Sequence, residues 1–146
     1  GRGRVMREGS AVALVGLGTR VYECLDAADQ LKQRGINATV IDARFAKPLD
    51  GELLRRVAAN HDILVTVEEG SIGGFGSAVQ QLLLDAGLLD GGGLKLRSMV
   101  LPDVFMDHGT PVGMYAEAGL DAKGITAKVL SLLDDVAMDR SASAAS

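Results

Sequence analysis

The chain has 146 residues, 47% of them hydrophobic and 23% charged, with a formal net charge of −4. This length and balance fit one globular domain that can bury roughly 70% of its unfolded surface, and they exclude wholesale disorder. The acidic balance, with 3% aromatics and no tryptophan, argues against nucleic acid as a partner, because phosphate-neutralising charge and stacking platforms are both lacking.

A short first strand is predicted over residues 4–7, before the Glu8-Gly9-Ser10 turn. Three near-continuous apolar runs follow at residues 11–15, 38–42 and 63–67. Such runs mark strands covered on both faces. Residues 94–100 instead alternate apolar and polar, the pattern of a half-exposed edge strand. Helices are predicted between these strands. Residues 21–34 place Val21, Cys24, Leu25, Ala28 and Leu31 on one face, with Thr19 at the N-cap and Gly35 at the C-terminal cap. Residues 50–60 repeat the pattern through Leu53, Leu54 and Val57. Residues 75–86 do so through Phe75, Val79, Leu82 and Leu83. A last helix opens near Asp121 with Ile125, Val129, Leu132, Leu133 and Val136 on its face. Residues 101–120 are rich in apolar groups without a helical period, as expected of a docking loop. Strand and helix in alternation with short links give an α/β domain over residues 1–138, with helices on both faces of a largely parallel sheet. Residues 139–146, with nothing to bury, are expected to be a disordered tail.

No run approaches the ~20 apolar residues of a membrane span, so no membrane partner is expected. One cysteine, Cys24, excludes an internal disulfide and suits a reducing cytoplasm. Two histidines, His61 and His108, do not make up a zinc set with it, so no metal is expected.

Three loops invite chemistry. Gly16-Leu17-Gly18-Thr19, between a strand and its helix, resembles the start of a dinucleotide fingerprint, but Val21 stands where the third glycine belongs. A tight strand-to-helix turn explains the same glycines. Glu68-Glu69-Gly70-Ser71-Ile72-Gly73-Gly74 follows a buried strand and opens a helix. Its backbone N–H groups could hold an anion, or its acids could do proton chemistry; on chemistry alone an acidic strand end with a glycine-rich turn is the favoured account. In Pro102-Asp103-Val104-Phe105-Met106-Asp107-His108-Gly109 the adjacent Asp107 and His108 suggest a dyad, although sequence neighbours point apart. Phosphate-loop and nucleophile-elbow motifs are absent.

Together, Asp42-Ala43-Arg44-Phe45-Ala46-Lys47-Pro48-Leu49-Asp50, Val67-Glu68-Glu69-Gly70-Ser71-Ile72-Gly73-Gly74-Phe75-Gly76, Leu101-Pro102-Asp103, His108-Gly109 and Tyr115-Ala116-Glu117-Ala118-Gly119-Leu120-Asp121 resemble the C-terminal domain of 1-deoxy-D-xylulose-5-phosphate synthases. The likeness runs from about Gly3 to Leu133. A looser one reaches transketolases and the beta subunits of 2-oxo acid dehydrogenases. The resemblance implies a homodimeric, cytoplasmic transferase that uses thiamine diphosphate and magnesium to join pyruvate to glyceraldehyde 3-phosphate with loss of CO2, at the entry to isoprenoid, thiamine and pyridoxal synthesis. It places the cofactor, the metal and the catalytic residues on other domains of that enzyme. None is expected on this chain, which would pack against those domains, serve dimer assembly and be inactive alone. It also implies a three-layer fold whose five-stranded mixed sheet has the order 1-3-2-4-5, with strand 1 antiparallel.

In that order the strands ending at Val15 and Val67 flank the topological switch, the crevice where open α/β sheets bind ligands. Gly18, Thr19, Arg20, Glu69, Ser71, Gly73 and Gly74 are therefore the candidate anion crevice. Val104, Phe105, Met106, His108, Met114 and Tyr115 are the candidate docking surface. An anion- or regulator-binding module of a related transketolase or dehydrogenase subunit is the alternative reading.

Overall fold

The structure is a computed structural model that describes residues 1–70, 72–101 and 111–145, with the backbone alone for residues 111, 112, 117 and 145. The strands are β1 (Arg4–Arg7), β2 (Ala11–Gly16), β3 (Ala38–Asp42), β4 (His61–Val67) and β5 (Lys95–Met99). The helices are α1 (Arg20–Lys32), α2 (Gly51–Asn60), α3 (Phe75–Asp85), α4 (Pro111–Glu117) and α5 (Ala122–Ala145). The sheet order is β1-β3-β2-β4-β5. β1 runs antiparallel to β3, and the other pairs are parallel. Fold class, strand order and the antiparallel edge all agree with the expectation from sequence.

The near-continuous apolar runs are explained by two cores. Successive side chains of a strand point to opposite faces. Val12 and Leu14 of β2, with Ile63 and Val65 of β4, pack against Cys24, Ala28 and Leu31 of α1 and Ile125, Val129 and Leu132 of α5. Ala13 and Val15, with Leu64, pack against Leu53, Leu54 and Val57 of α2 and Phe75, Val79 and Leu83 of α3. β5 lies at the edge: Leu94 and Leu96 pack partly buried on the α2/α3 side, and Arg97 on the other face is exposed, while Met99 on that same face is buried where the strand ends.

Two glycines are required by close approach. A Cβ on Gly16 would lie 2.9 Å from the Val21 backbone, so only glycine lets α1 start directly above the end of β2. A Cβ on Gly76 would lie 2.6 Å from Ser98 Oγ and 2.8 Å from Thr66 Oγ1, where α3 presses on β4 and β5.

Two expectations differ from the structure. α4 occupies part of the segment read as a docking loop; it spans seven residues, too few to display a helical period. The stretch read as a disordered tail continues α5 as helix to Ala145. Extending an existing helix costs far less than nucleating one, and alanine favours it. The extension is also pinned by Asp139 to Lys95 at 2.6 Å and by Arg140 to Asp62 at 2.8 Å.

Asp50 caps α2: one carboxylate oxygen accepts from the Leu53 N–H at 3.1 Å and the other from the Gly3 N–H at 2.9 Å. These bonds, the Leu53 one foremost, hold its carboxyl below the ordinary value. A depressed carboxylate contributes stability above its unfolded value and loses it as pH falls through its folded value. Asp50→Ala should therefore cost about 1 kcal/mol at neutral pH. In urea titrations, the gap between parent and variant should close as pH drops below the ordinary 3.8.

Cys24 is fully buried, and burial pushes its thiol up to about 12. The neutral thiol stabilises the fold below the ordinary value of 9 and stops doing so as pH rises toward 12. Iodoacetamide at pH 8 should leave Cys24 unmodified in the folded chain and alkylate it in urea, with mass spectrometry as the readout.

Candidate functional site

The switch point is built by the pairing of β2 with β4, which sets Gly16 opposite Val67. The chain leaving β2 stays in contact with the strand beside it, because the Leu17 N–H donates to Val67 O at 3.0 Å. The loops carrying Gly16–Thr19 and Glu68–Gly70 are thus neighbours in space. The second loop is held against the sheet edge: Glu68 N–H donates to Met99 O at 3.1 Å, and Leu101 N–H to Gly70 O at 3.0 Å.

The two adjacent glutamates go opposite ways. Glu68 turns inward and is 3% exposed. Its carboxylate accepts from the Phe75 N–H at 3.0 Å and from the Gly76 N–H. Those are two of the N–H groups that a helix start leaves unpaired, and a negative charge there is favoured by the helix dipole. A carboxylate of the chain itself therefore takes up the α3 terminus. Gly74 forms the α3 N-cap, and Gly73 N–H donates to Ser77 Oγ at 2.9 Å.

Glu69 turns toward α1. Thr19 Oγ1 donates to its carboxylate, and the same carboxylate acts on the Tyr115 phenol. Thr19 stands at the N-cap position of α1 without a side-chain capping bond, its hydroxyl being engaged by Glu69 instead. Arg20 Nε lies 3.7 Å from Glu69 Oε1.

Arg20 is 6% exposed. Its Nη1 donates to Leu120 O at 2.9 Å, and its guanidinium carbon lies 4.1 Å from the centre of the Tyr115 ring. Among the described residues, its Nε is the buried side-chain nitrogen without a hydrogen bond. A desolvated cation over an aromatic face is worth about 2 kcal/mol, which offsets part of the cost of burying the charge. Burial, followed by Glu69, raises the Tyr115 phenol above its ordinary value.

Of the predicted crevice residues, Gly18, Thr19, Arg20 and Glu69 converge on one cluster, while Gly73 and Gly74 belong to the start of α3. Tyr115, one of the candidate docking-surface residues, lies over the Arg20 guanidinium and is half-buried, as is Met114. Ser71, Val104, Phe105, Met106 and His108 lie outside the described residues. The sequence reading missed Glu68 as the α3 cap. A glutamate seven residues before a helix start is too distant to match a capping pattern, and only the turn at Ile72–Gly74 brings it back. Glu23 was missed likewise: its Oε2 accepts from Ala122 N–H at 2.8 Å and so caps α5 from a neighbouring helix. His61 has structural partners, with Nδ1 placed at 2.7 Å from Val57 O and Nε2 at 2.8 Å from Thr39 Oγ1.

Elsewhere, a wide groove of about 900 Å³ runs between α3 and β5, lined by Leu84, Leu89, Leu94 and Leu96 with Arg97 at its side. Among the described residues, no three His, Cys, Asp or Glu side chains gather as metal ligands, and no helix is long and apolar enough to cross a membrane.

A mixed sheet of order 1-3-2-4-5 with helices on both faces and a polar junction at the switch point defines a doubly wound α/β domain. The model of the transketolase C-terminal domain family matches residues 1–125, and the chain belongs to that family. A split-gene transketolase, described as an inactive beta4 tetramer, is 37% identical, with a TM-score of 0.78 over 89% of this chain and 41% of its own. Transketolases from Pichia stipitis (a point mutant) and Campylobacter jejuni each share 16% identity over 88% of this chain. Their TM-scores are 0.63 and 0.57, and the match covers 17% and 18% of their lengths; at that identity they support the fold alone. The chain thus spans less than half the length of the transketolases it matches. The family is one of thiamine-diphosphate-type transferases. The residues described here do not fit a magnesium diphosphate: no ligand cluster gathers, and carboxylates stand beside both helix starts at the switch point.

Glu68 and Glu69 should separate on substitution. Glu68→Ala leaves two buried N–H groups without an acceptor and should cost roughly 2–4 kcal/mol. Glu69→Ala acts at a site 40% exposed and should cost about 1 kcal/mol or less. Chemical denaturation of the two variants checks the order.

Proposed function

We propose that this chain is the C-terminal domain of a 1-deoxy-D-xylulose-5-phosphate synthase. That enzyme is a thiamine-diphosphate- and magnesium-dependent transferase that condenses pyruvate with glyceraldehyde 3-phosphate and releases CO2. In this reading the domain packs against the other domains of the enzyme, contributes to a cytoplasmic homodimer and has no turnover by itself.

One observation carries the assembly role: the motif residues are engaged in holding the domain together. Asp42 Oδ1 accepts from the Arg44 N–H at 2.9 Å, Asp50 caps α2 and Glu68 caps α3. Asp121 Oδ1 accepts from the Gly124 N–H at 2.9 Å, and Leu120 O receives Arg20. Carboxylates saturated with backbone donors are poor candidates for moving protons. The choice of the synthase over its relatives is supported by the order and spacing of the motifs from Asp42 to Asp121.

The 37% identity to a split-gene transketolase favours a second reading, in which the chain serves a transketolase acting on sugar phosphates. The gene product that carries this chain, supplied with thiamine diphosphate and magnesium, decides between them. The synthase reading expects CO2 release from pyruvate with glyceraldehyde 3-phosphate. Two-carbon transfer from a ketose phosphate to an aldose phosphate without CO2 would establish the second reading. Inactivity with both pairs would contradict both. The 146-residue chain alone should show no turnover with either pair.

A further inference from the structure

Residues 114–120 are tied to the rest of the domain chiefly by polar contacts that meet at the first turns of α1. Arg20 stacks on Tyr115 and donates to Leu120 O. Glu69 Oε1 lies 3.7 Å from Arg20 Nε, and its carboxylate acts on the Tyr115 phenol. Glu23 takes the Ala122 N–H just beyond. Among the described side chains of this segment, Met114, Tyr115 and Ala118 are only partly buried, and Leu120 is the fully buried apolar group. The core strands differ, since Val12 to Val15 and Ile63 to Val65 are all fully buried. A segment with few buried apolar contacts opens at a lower free energy than the core beneath it.

We propose that Arg20 is the latch of a strap. It clamps residues 114–120 over the switch point, and the strap can release without unfolding the sheet. The geometry explains why an arginine lies almost completely buried here, although its Nε makes no hydrogen bond. The side chain passes between α1 and the strap, and one planar cation serves a ring face, a carbonyl and a carboxylate at once. Lysine cannot do this, because its ammonium lacks both the flat face and the fork of donors. While the strap is closed, it covers Arg20. Once released, it would leave Arg20 and the start of α1 facing Glu69 alone. The latch is thus a built-in device for presenting or withdrawing this corner of the domain.

Amide hydrogen exchange on the whole chain tests the proposal. The reporters are the N–H groups of Ala118, Gly119 and Leu120, which donate to Met114 O, Ala116 O and Tyr115 O at 3.1, 3.0 and 2.8 Å. Arg20→Met keeps an unbranched apolar stem and removes the guanidinium and its charge. It should speed exchange at these three groups at least tenfold relative to the amides of Val12 to Val15. Arg20→Lys should restore less than half of the lost protection on a logarithmic scale. Should Arg20→Met fail to fold, Tyr115→Phe and Glu69→Ala carry the same test, since both sites are part-exposed. Each should loosen the same three amides by a few-fold and leave the sheet unchanged. Equal acceleration of strap and sheet would show that the segment does not open separately and would overturn the proposal. Unchanged exchange at Ala118 to Leu120 in the variants would overturn it too.

Discussion

The parallel pairing of β2 with β4 is the constraint on which the site depends. Fixing Gly16 opposite Val67 delivers two loops and two helix starts to one spot at the C-terminal end of the sheet. In open α/β folds such a place attracts ligands, because unpaired N–H groups and helix dipoles point into it. Here two consecutive glutamates arrive at the same spot. Glu68 enters the protein and takes the donors of α3, while Glu69 stays at the rim and gathers Thr19, Arg20 and Tyr115. The electrostatic demand of the junction is met from within the chain.

This arrangement fits the assembly role proposed for the domain. Backbone donors saturated by internal carboxylates hold loops rigid. A rigid α3 start can be presented to neighbouring domains with little ordering entropy to lose. The chain belongs to a family of C-terminal domains, and the transketolases it resembles are more than twice as long as the segment they share with it.

Much of the fold was legible in the sequence because the strands report their burial directly. The runs at 11–15, 38–42 and 63–67 are apolar since both faces are covered, and the alternation at 94–100 marks an edge. Strand order and the antiparallel first strand came from the family resemblance, not from periodicity. The neighbourhood of the two glycine loops followed from that order. The identities of the bonds there did not. Glu68 and Glu69 are equivalent in sequence, and only the sheet decides which one turns inward. The partners of Arg20 lie at Tyr115 and Leu120, a separation that no local pattern encodes. The end of α5 was misread for a different reason: a Ser/Ala stretch with no apolar face carries no burial signal, yet it extends a helix already formed and anchored through Arg140.

The central claim is that the switch-point junction is filled by the chain's own carboxylates. A ¹H–¹⁵N titration of the native chain with inorganic phosphate tests it most directly, following the amides of Gly18, Thr19, Arg20, Gly73 and Gly74. Small, non-saturating shifts that vanish when ionic strength is held constant are the expected result. A saturable shift confined to those amides at millimolar phosphate would contradict the claim and show a junction open to external anions.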